Sequence, residues 1–134
     1  MNLDKLKELQ KKLELSYCPY SGVHVASLAI DDQNREWWGV NTENPAYPSG
    51  LCAERSALFG SVAYGAKVGS FTDIHVISNK KHLLYPCSGC LQVITQFLKR
   101  DGLVHLHNFD LSKNQTLSIN ELVPYQVRDE DIRD

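Results

Sequence analysis

The chain has no apolar run approaching the roughly 18 residues that a membrane-spanning helix needs, which excludes a helical membrane span. Its first residues, Met1 to Glu14, lack the apolar stretch and small-residue cleavage site of a secretion signal. It also lacks a basic excess, with 14 Lys and Arg against 16 Asp and Glu. Without a positive field to grip a polyanionic backbone, a nucleic-acid partner is disfavoured. At 134 residues there is no room for a second domain, and neither an internal repeat nor a low-complexity linker divides the chain. Cysteine is scarce, four in all. With no export signal the expected compartment is the cytoplasm, where thiols stay reduced, so metal binding is expected of these cysteines rather than disulfides.

What the chain does contain is an ordinary globular composition, 43% hydrophobic, and an interleaved pattern of elements. Leu3, Leu6, Leu9 and Leu13, with lysines between them, predict an amphipathic helix from Leu3 to Leu15. Tyr17 to Gly22 is a turn. Val23 to Ile30 and Glu36 to Val40 read as a hairpin around Asp31-Asp-Gln-Asn34. Asn41 to Leu51 is a loop. A helix is expected over Cys52 to Tyr64, closed by Gly65, and another over Ser88 to Lys99. Strands are expected at Ile74 to Ser78, Leu103 to His107 and Thr116 to Ile119. Ser118 and Glu121 then have capping-box spacing before a short terminal helix. The resulting order, α-β-β-α-β-α-β-β-α, implies an α/β layer structure.

Two fragments carry chemistry, Cys52-Ala-Glu54-Arg55 and Pro86-Cys87-Ser-Gly-Cys90, each placed where a loop enters a helix. A helix N-terminus favours a thiolate. Three thiolates fill three positions of a tetrahedral Zn2+ and leave the fourth for water, the pattern of a catalytic site rather than a closed structural one. Zinc lowers the pKa of such a water from about 15.7 toward roughly 7. Glu54, two residues from Cys52, is the candidate proton carrier, and Arg55 the candidate hydrogen-bond donor to sulfur that offsets the negative charge of three thiolates. A Cys-x-x-Cys alone also suits a redox pair or half of a structural zinc site. Glu54 argues against both, because neither needs a proton carrier. The two fragments together match the zinc deaminase signature of Cys or His with Glu followed by Pro-Cys-x-x-Cys.

On these motifs, with Tyr17 to Ser21, Gly39-Val-Asn41-Thr-Glu43-Asn44, Tyr47 and Glu121-Leu-Val-Pro124, the chain resembles the small homotetrameric class of cytidine deaminases over nearly its whole length. The resemblance implies one cytidine deaminase-like domain over 1–134, a three-layer sandwich whose five-stranded mixed sheet has helices on both faces. It implies zinc on Cys52, Cys87 and Cys90, proton transfer by Glu54, and ribose hydroxyls held by Asn41 and Glu43, with Val23 and Ala53 at the base. Asn offers a donor and an acceptor and ionised Glu a strong acceptor, which suits a sugar diol. The implied partners are a small nucleoside substrate and further copies of the chain. The implied reaction is hydrolysis of the C4 amine of cytidine, deoxycytidine or a modified cytosine nucleoside, as in pyrimidine salvage. Polynucleotide cytosine, another amino-heterocycle and a non-catalytic zinc module are the competing readings.

Three positions depart from the family pattern. Val23 stands where a phenylalanine packs on the pyrimidine, Val127 where a neighbouring subunit lends a second aromatic ring, and Leu91 where arginine is common. Cys18 reads as a core or loop thiol. Of Trp37 and Trp38, one is expected in the core and the other at solvent or a subunit contact. His24, His75, His82, His105 and His107 show no ligand-like spacing, although His105 and His107 alternate and can share one face of a strand.

Overall fold

Strand segments such as Val25-Ala-Ser-Leu-Ala-Ile and Ile74-His-Val-Ile are apolar at most positions, the pattern of a sheet covered on both faces. The computed structural model describes residues 1–133 and has that arrangement. Its elements are α1 (Leu3–Lys12), β1 (Val25–Asp31), β2 (Glu36–Val40), α2 (Ala53–Val62), β3 (Phe71–Ser78), α3 (Ser88–Phe97), β4 (Leu98–His107), β5 (Asn114–Ser118), α4 (Ile119–Leu122) and α5 (Asp129–Ile132). One five-stranded sheet runs in the order β2-β1-β3-β4-β5. β3 and β4 are parallel, joined through α3, and the other three pairings are antiparallel.

Side-chain alternation sorts the sheet into two cores. Ala29, Ile74, Val76, Val104 and Leu106 meet Leu58 of α2, Ile94 and Phe97 of α3 and Ile119 of α4 on one face. Ala26, Leu28 and Ile77 meet Leu9 of α1 on the other. The helical stripe expected from the leucines therefore seats one residue fully, Leu9, worth about 1.5–3 kcal/mol on burial. Leu13 packs beside it as the helix tightens into a 3-10 turn over Leu13–Leu15.

Asp31 closes the β1–β2 hairpin. Its buried carboxylate accepts from the backbone N–H groups of Gln33 and Arg35, from Arg35 Nε at 2.8 Å and from the Trp37 indole at 3.1 Å. Burial alone would raise its pKa, but these donors together hold it below the usual carboxylate value.

Four expectations change. β4 begins at Leu98, not Leu103, and the helix expected to run to Lys99 ends at Phe97: Leu98 pairs with Phe71, and the register shifts before Asp73 pairs with Leu103. β3 likewise starts at Phe71. Trp37 and Trp38 both pack on cores, one on each face of the sheet, because adjacent strand residues point to opposite faces and both faces are covered. The final short helix, α5, is additional to those expected, and its first turn is tied down where the Arg128 N–H donates to Asp131 Oδ2 at 2.8 Å. The Ser118–Glu121 capping box forms as expected.

Candidate active site

Two helices begin at a cysteine. Cys52 precedes α2 and Cys87 precedes α3 in the same extended backbone conformation (φ −76°, ψ 162° and φ −69°, ψ 165°), and neither helix has a side-chain cap on its first N–H groups. Uncapped helix N-termini carry partial positive charge and favour anionic sulfur.

The close approach of α2 to the sheet sets where its first turn lies. Gly39 in β2 faces α2, and a Cβ at that position would lie 2.3 Å from the Ala53 carbonyl oxygen and 2.6 Å from the Ala57 nitrogen. From β1, the fully buried Ser27 hydroxyl donates to the Ala53 carbonyl at 2.7 Å. Ala53 is itself buried, so the residue between Cys52 and Glu54 is held against β1 and the edge strand β2.

Cys52, Glu54 and Cys90 come together, with one ligand atom from each lying within 4.8 Å of the others. The Cys52 and Cys90 sulfurs are in direct contact as a disulfide, in place of the separate thiolates expected in a reducing compartment. Their Cα atoms are 7.3 Å apart, beyond the roughly 4.4–6.8 Å usual for a disulfide. Two thiolates sharing a zinc ion, each about 2.3 Å from it, suit such a separation. Cys87 is exposed and lies outside the group of three. It stands just before α3 in extended backbone, three residues before Cys90. The donor set of converging cysteine sulfurs beside a buried carboxylate fits zinc.

Glu54 is 4% exposed, and burial raises its pKa above the ordinary carboxylate range, opposed by its own backbone N–H and by the Arg55 charge. Arg55 donates from Nε to Cys52 Sγ at 3.2 Å. Beside this cluster lies a cavity of about 250 Å³, lined by Asn41, Glu43, Tyr47, Cys52 and Arg55 among others.

The segment forming the cavity wall is pinned on two sides. Thr42 bridges Tyr17 on one flank and Leu51 on the other, and Glu43 N donates to the Tyr17 carbonyl at 2.7 Å. The Asn41 side chain accepts from Val25 N at 2.9 Å and donates to the Val23 carbonyl at 2.7 Å. The Glu43 carboxylate accepts from the Ser21 hydroxyl and from the N–H groups of Ser21 and Tyr20, contacts that lower its pKa, led by the hydroxyl. Val23 is half-buried and outside the cavity lining. Val127 is exposed on the far side of α3, where its carbonyl accepts from Gln92 Nε2 at 3.0 Å. Leu91 directly follows Cys90 on α3.

Sequence reasoning missed Ser27, Ser21 and the positional role of Gly39. Only the glycine had a signal, since a glycine inside a strand marks close backbone approach.

A mixed sheet with Cys52 at the start of one helix and Cys90 in the first turn of another, meeting beside a buried glutamate, is the arrangement of a zinc-site hydrolase. The family model for the cytidine and deoxycytidylate deaminase zinc-binding region matches residues 3–105, and the chain belongs to the cytidine deaminase family. A cytidine deaminase of Sporosarcina psychrophila is 32% identical over 133 residues, spanning 98% of this chain and 96% of its own. One from Halalkalibacterium halodurans is 31% identical over 129 residues, 96% of each chain. The crystal structure of cytidine deaminase from Burkholderia pseudomallei superposes with a TM-score of 0.86 at 31% identity, covering 95% of this chain and 100% of that one. Among the described residues no helix is long and apolar enough to cross a membrane.

Proposed function

We propose that the chain, acting as one domain, hydrolytically deaminates cytidine or deoxycytidine to the uridine product and ammonia. The observation that carries this reading is the buried Glu54 carboxylate beside the Cys52 and Cys90 sulfurs, next to a cavity walled by Asn41 and Glu43. Cys52, Cys90 and Cys87 hold the zinc, the last by turning its side chain toward its helical neighbour. When bound, zinc supplies a water acidic enough to attack C4 near neutral pH.

Glu54 moves the protons. Its buried position beside the two sulfurs suits a group that takes a proton from water, delivers it to ring N3 and later serves the departing amine. Arg55 offsets thiolate charge through its contact with Cys52. Asn41 and Glu43 receive the ribose hydroxyls. Each is held by the contacts described above and keeps unused hydrogen-bonding capacity, Asn41 one N–H and one lone pair, Glu43 a free lone pair on Oε2. The Ala53 N–H, an uncapped first-turn donor of α2, is available to the base. A pair that binds both sugar hydroxyls disfavours a polymer substrate, and a purely structural zinc site has no use for Glu54.

Val23 and Val127 remove ring stacking without touching the metal ligands. Val127 is remote from the cavity of its own chain, which favours a homotetramer in which C-terminal segments complete neighbouring sites. Light scattering at the tetramer mass is the expected result. Free thiolate ligands favour a reducing compartment such as the cytoplasm.

The test is ammonia release by zinc-loaded protein from cytidine, deoxycytidine and an N4-substituted cytidine. Glu54→Gln is expected to retain zinc and lose at least about 10²–10⁴-fold in rate. Undiminished turnover by that variant would overturn the assignment. Preference for the N4-substituted substrate would show that the valines widen the base pocket.

A further inference from the structure

Across the sheet from the active site, strand pairing assembles a cluster that no spacing in the sequence announces. Ile74, Val76, Val104 and Leu106 point into the α2–α3 core, so Asp73, His75, His105 and His107 point to the α1 face. The parallel β3–β4 register sets His75 beside His105 and Ile77 beside His107. These side chains line a cavity of about 590 Å³ next to α1.

His75 Nδ1 and His107 Nε2 lie 3.1 Å apart. The His105 ring is stacked on His75, with centroids 4.2 Å apart and planes 11° apart. It is fixed there by Asp73 Oδ1 at Nε2 (2.7 Å) and Thr116 Oγ1 at Nδ1 (2.8 Å). Burial, then the charge of neighbouring histidines, lowers the pKa of His75 to about 3 and that of His107 to about 4. Both imidazoles are therefore neutral at physiological pH, the form that ligates metals. Of the cationic groups lining the cavity, Lys5 is tied to Glu36 at 3.0 Å and the Met1 amino group adds positive charge, which the Asp73 carboxylate opposes.

We propose that His75 and His107 chelate a divalent transition-metal ion of the imidazole-seeking class, Ni2+ or Cu2+ before Zn2+, at a second site across the sheet from the cysteine centre. Two metal–nitrogen bonds of about 2.1 Å whose nitrogens are 3.1 Å apart subtend roughly 95° at the ion. That angle matches neighbouring positions of square-planar or octahedral geometry better than a tetrahedron, which selects Ni2+ and Cu2+. The cavity leaves room for water in the remaining positions.

The experiment begins with zinc-loaded protein, dialysed against Ni2+ and analysed by mass spectrometry for both metals. Wild type is expected to keep its zinc and gain one equivalent of Ni2+, while His75→Gln and His107→Gln keep zinc alone. Cytidine turnover, measured in parallel, reads the cysteine centre separately, so failure of the two assignments can be told apart. Cu2+ added to zinc-loaded wild type provides a measurement that needs no variant: its electron paramagnetic resonance spectrum should show coupling to two imidazole nitrogens, and its visible absorption spectrum no sulfur-to-copper charge-transfer band. No second equivalent in wild type, uptake through sulfur, or equal uptake by folded His107→Gln would each overturn the proposal.

Discussion

Gly39→Ala tests whether the fit of α2 on the sheet sets the chemistry. The new methyl would lie 2.3 Å from the Ala53 carbonyl oxygen, 2.6 Å from the Ala57 nitrogen and 3.1 Å from the Ala57 Cβ. The first two contacts are backbone, which cannot rotate away. Restoring an ordinary contact requires the first turn of α2 to withdraw by roughly 1 Å. That turn carries Cys52 and Glu54, and a misplacement of about 1 Å at reacting groups can cost on the order of 10²-fold in rate. Overpacking of this kind costs about 1–3 kcal/mol in stability.

Gly60→Ala, in the same helix, is the matched control, since its Cβ would meet nothing within 4 Å. Replacing a helical glycine by alanine should stabilise by up to about 1 kcal/mol and leave the rate unchanged. Steady-state kinetics with cytidine, zinc content and chemical denaturation of both variants make the comparison. The reasoning fails if Gly39→Ala matches wild type in rate and stability, or if Gly60→Ala is equally impaired.

Three further outcomes are expected. Arg55→Ala removes a donor 3.2 Å from Cys52 sulfur and should weaken zinc retention or turnover by about 10–100-fold, read by competition with a chelator and by kcat. Asp31 has a depressed folded pKa, so its contribution to stability is complete above the unfolded value near 3.8 and is lost as pH falls through the folded one. Wild type should therefore lose more stability than Asp31→Asn between about pH 5 and about pH 2, and parallel denaturation midpoints would contradict this. Val23→Phe should restore ring stacking worth about 0.5–1.5 kcal/mol, lowering KM for cytidine several-fold with little change in kcat.

Local features were legible where one residue's chemistry dictates one local outcome. Leu6, Leu9 and Leu13 carry a helical stripe, Asp31 to Asn34 a turn, Gly65 a left-handed helix end at φ +96°, and Ser118 with Glu121 a cap. The charged start of β4 was illegible because Lys99 to Asp101 are exposed. They lie in the register shift of the parallel ladder, between the Leu98–Phe71 and Leu103–Asp73 pairs, so it is the pairing of Leu98 on their near side that brings them into the strand. The motif residues of the site were readable because ligand chemistry restricts residue type. The contacts that position them, Ser27 to the Ala53 carbonyl and Ser21 to Glu43, use side chains common in any strand or turn.

The same distinction explains the histidines. Residues 75, 105 and 107 have no common period, because two of them lie on β4 and one on β3, with α3 intervening. Alternation supplies half of the arrangement by placing His105 and His107 on one face of β4. The other half is the parallel register, which sets His75 beside His105 and two pairs along the ladder from His107. A one-residue slip of β3 would turn His75 into the apolar core and Ile74 or Val76 out of it, which burial forbids. The hydrophobic residues that fix the register thus also fix the distance between His75 and His107. Any ion held there would tie β3 to β4 across a pairing that the core already specifies. Its binding should therefore raise the thermal midpoint of wild type and leave that of His107→Gln unmoved.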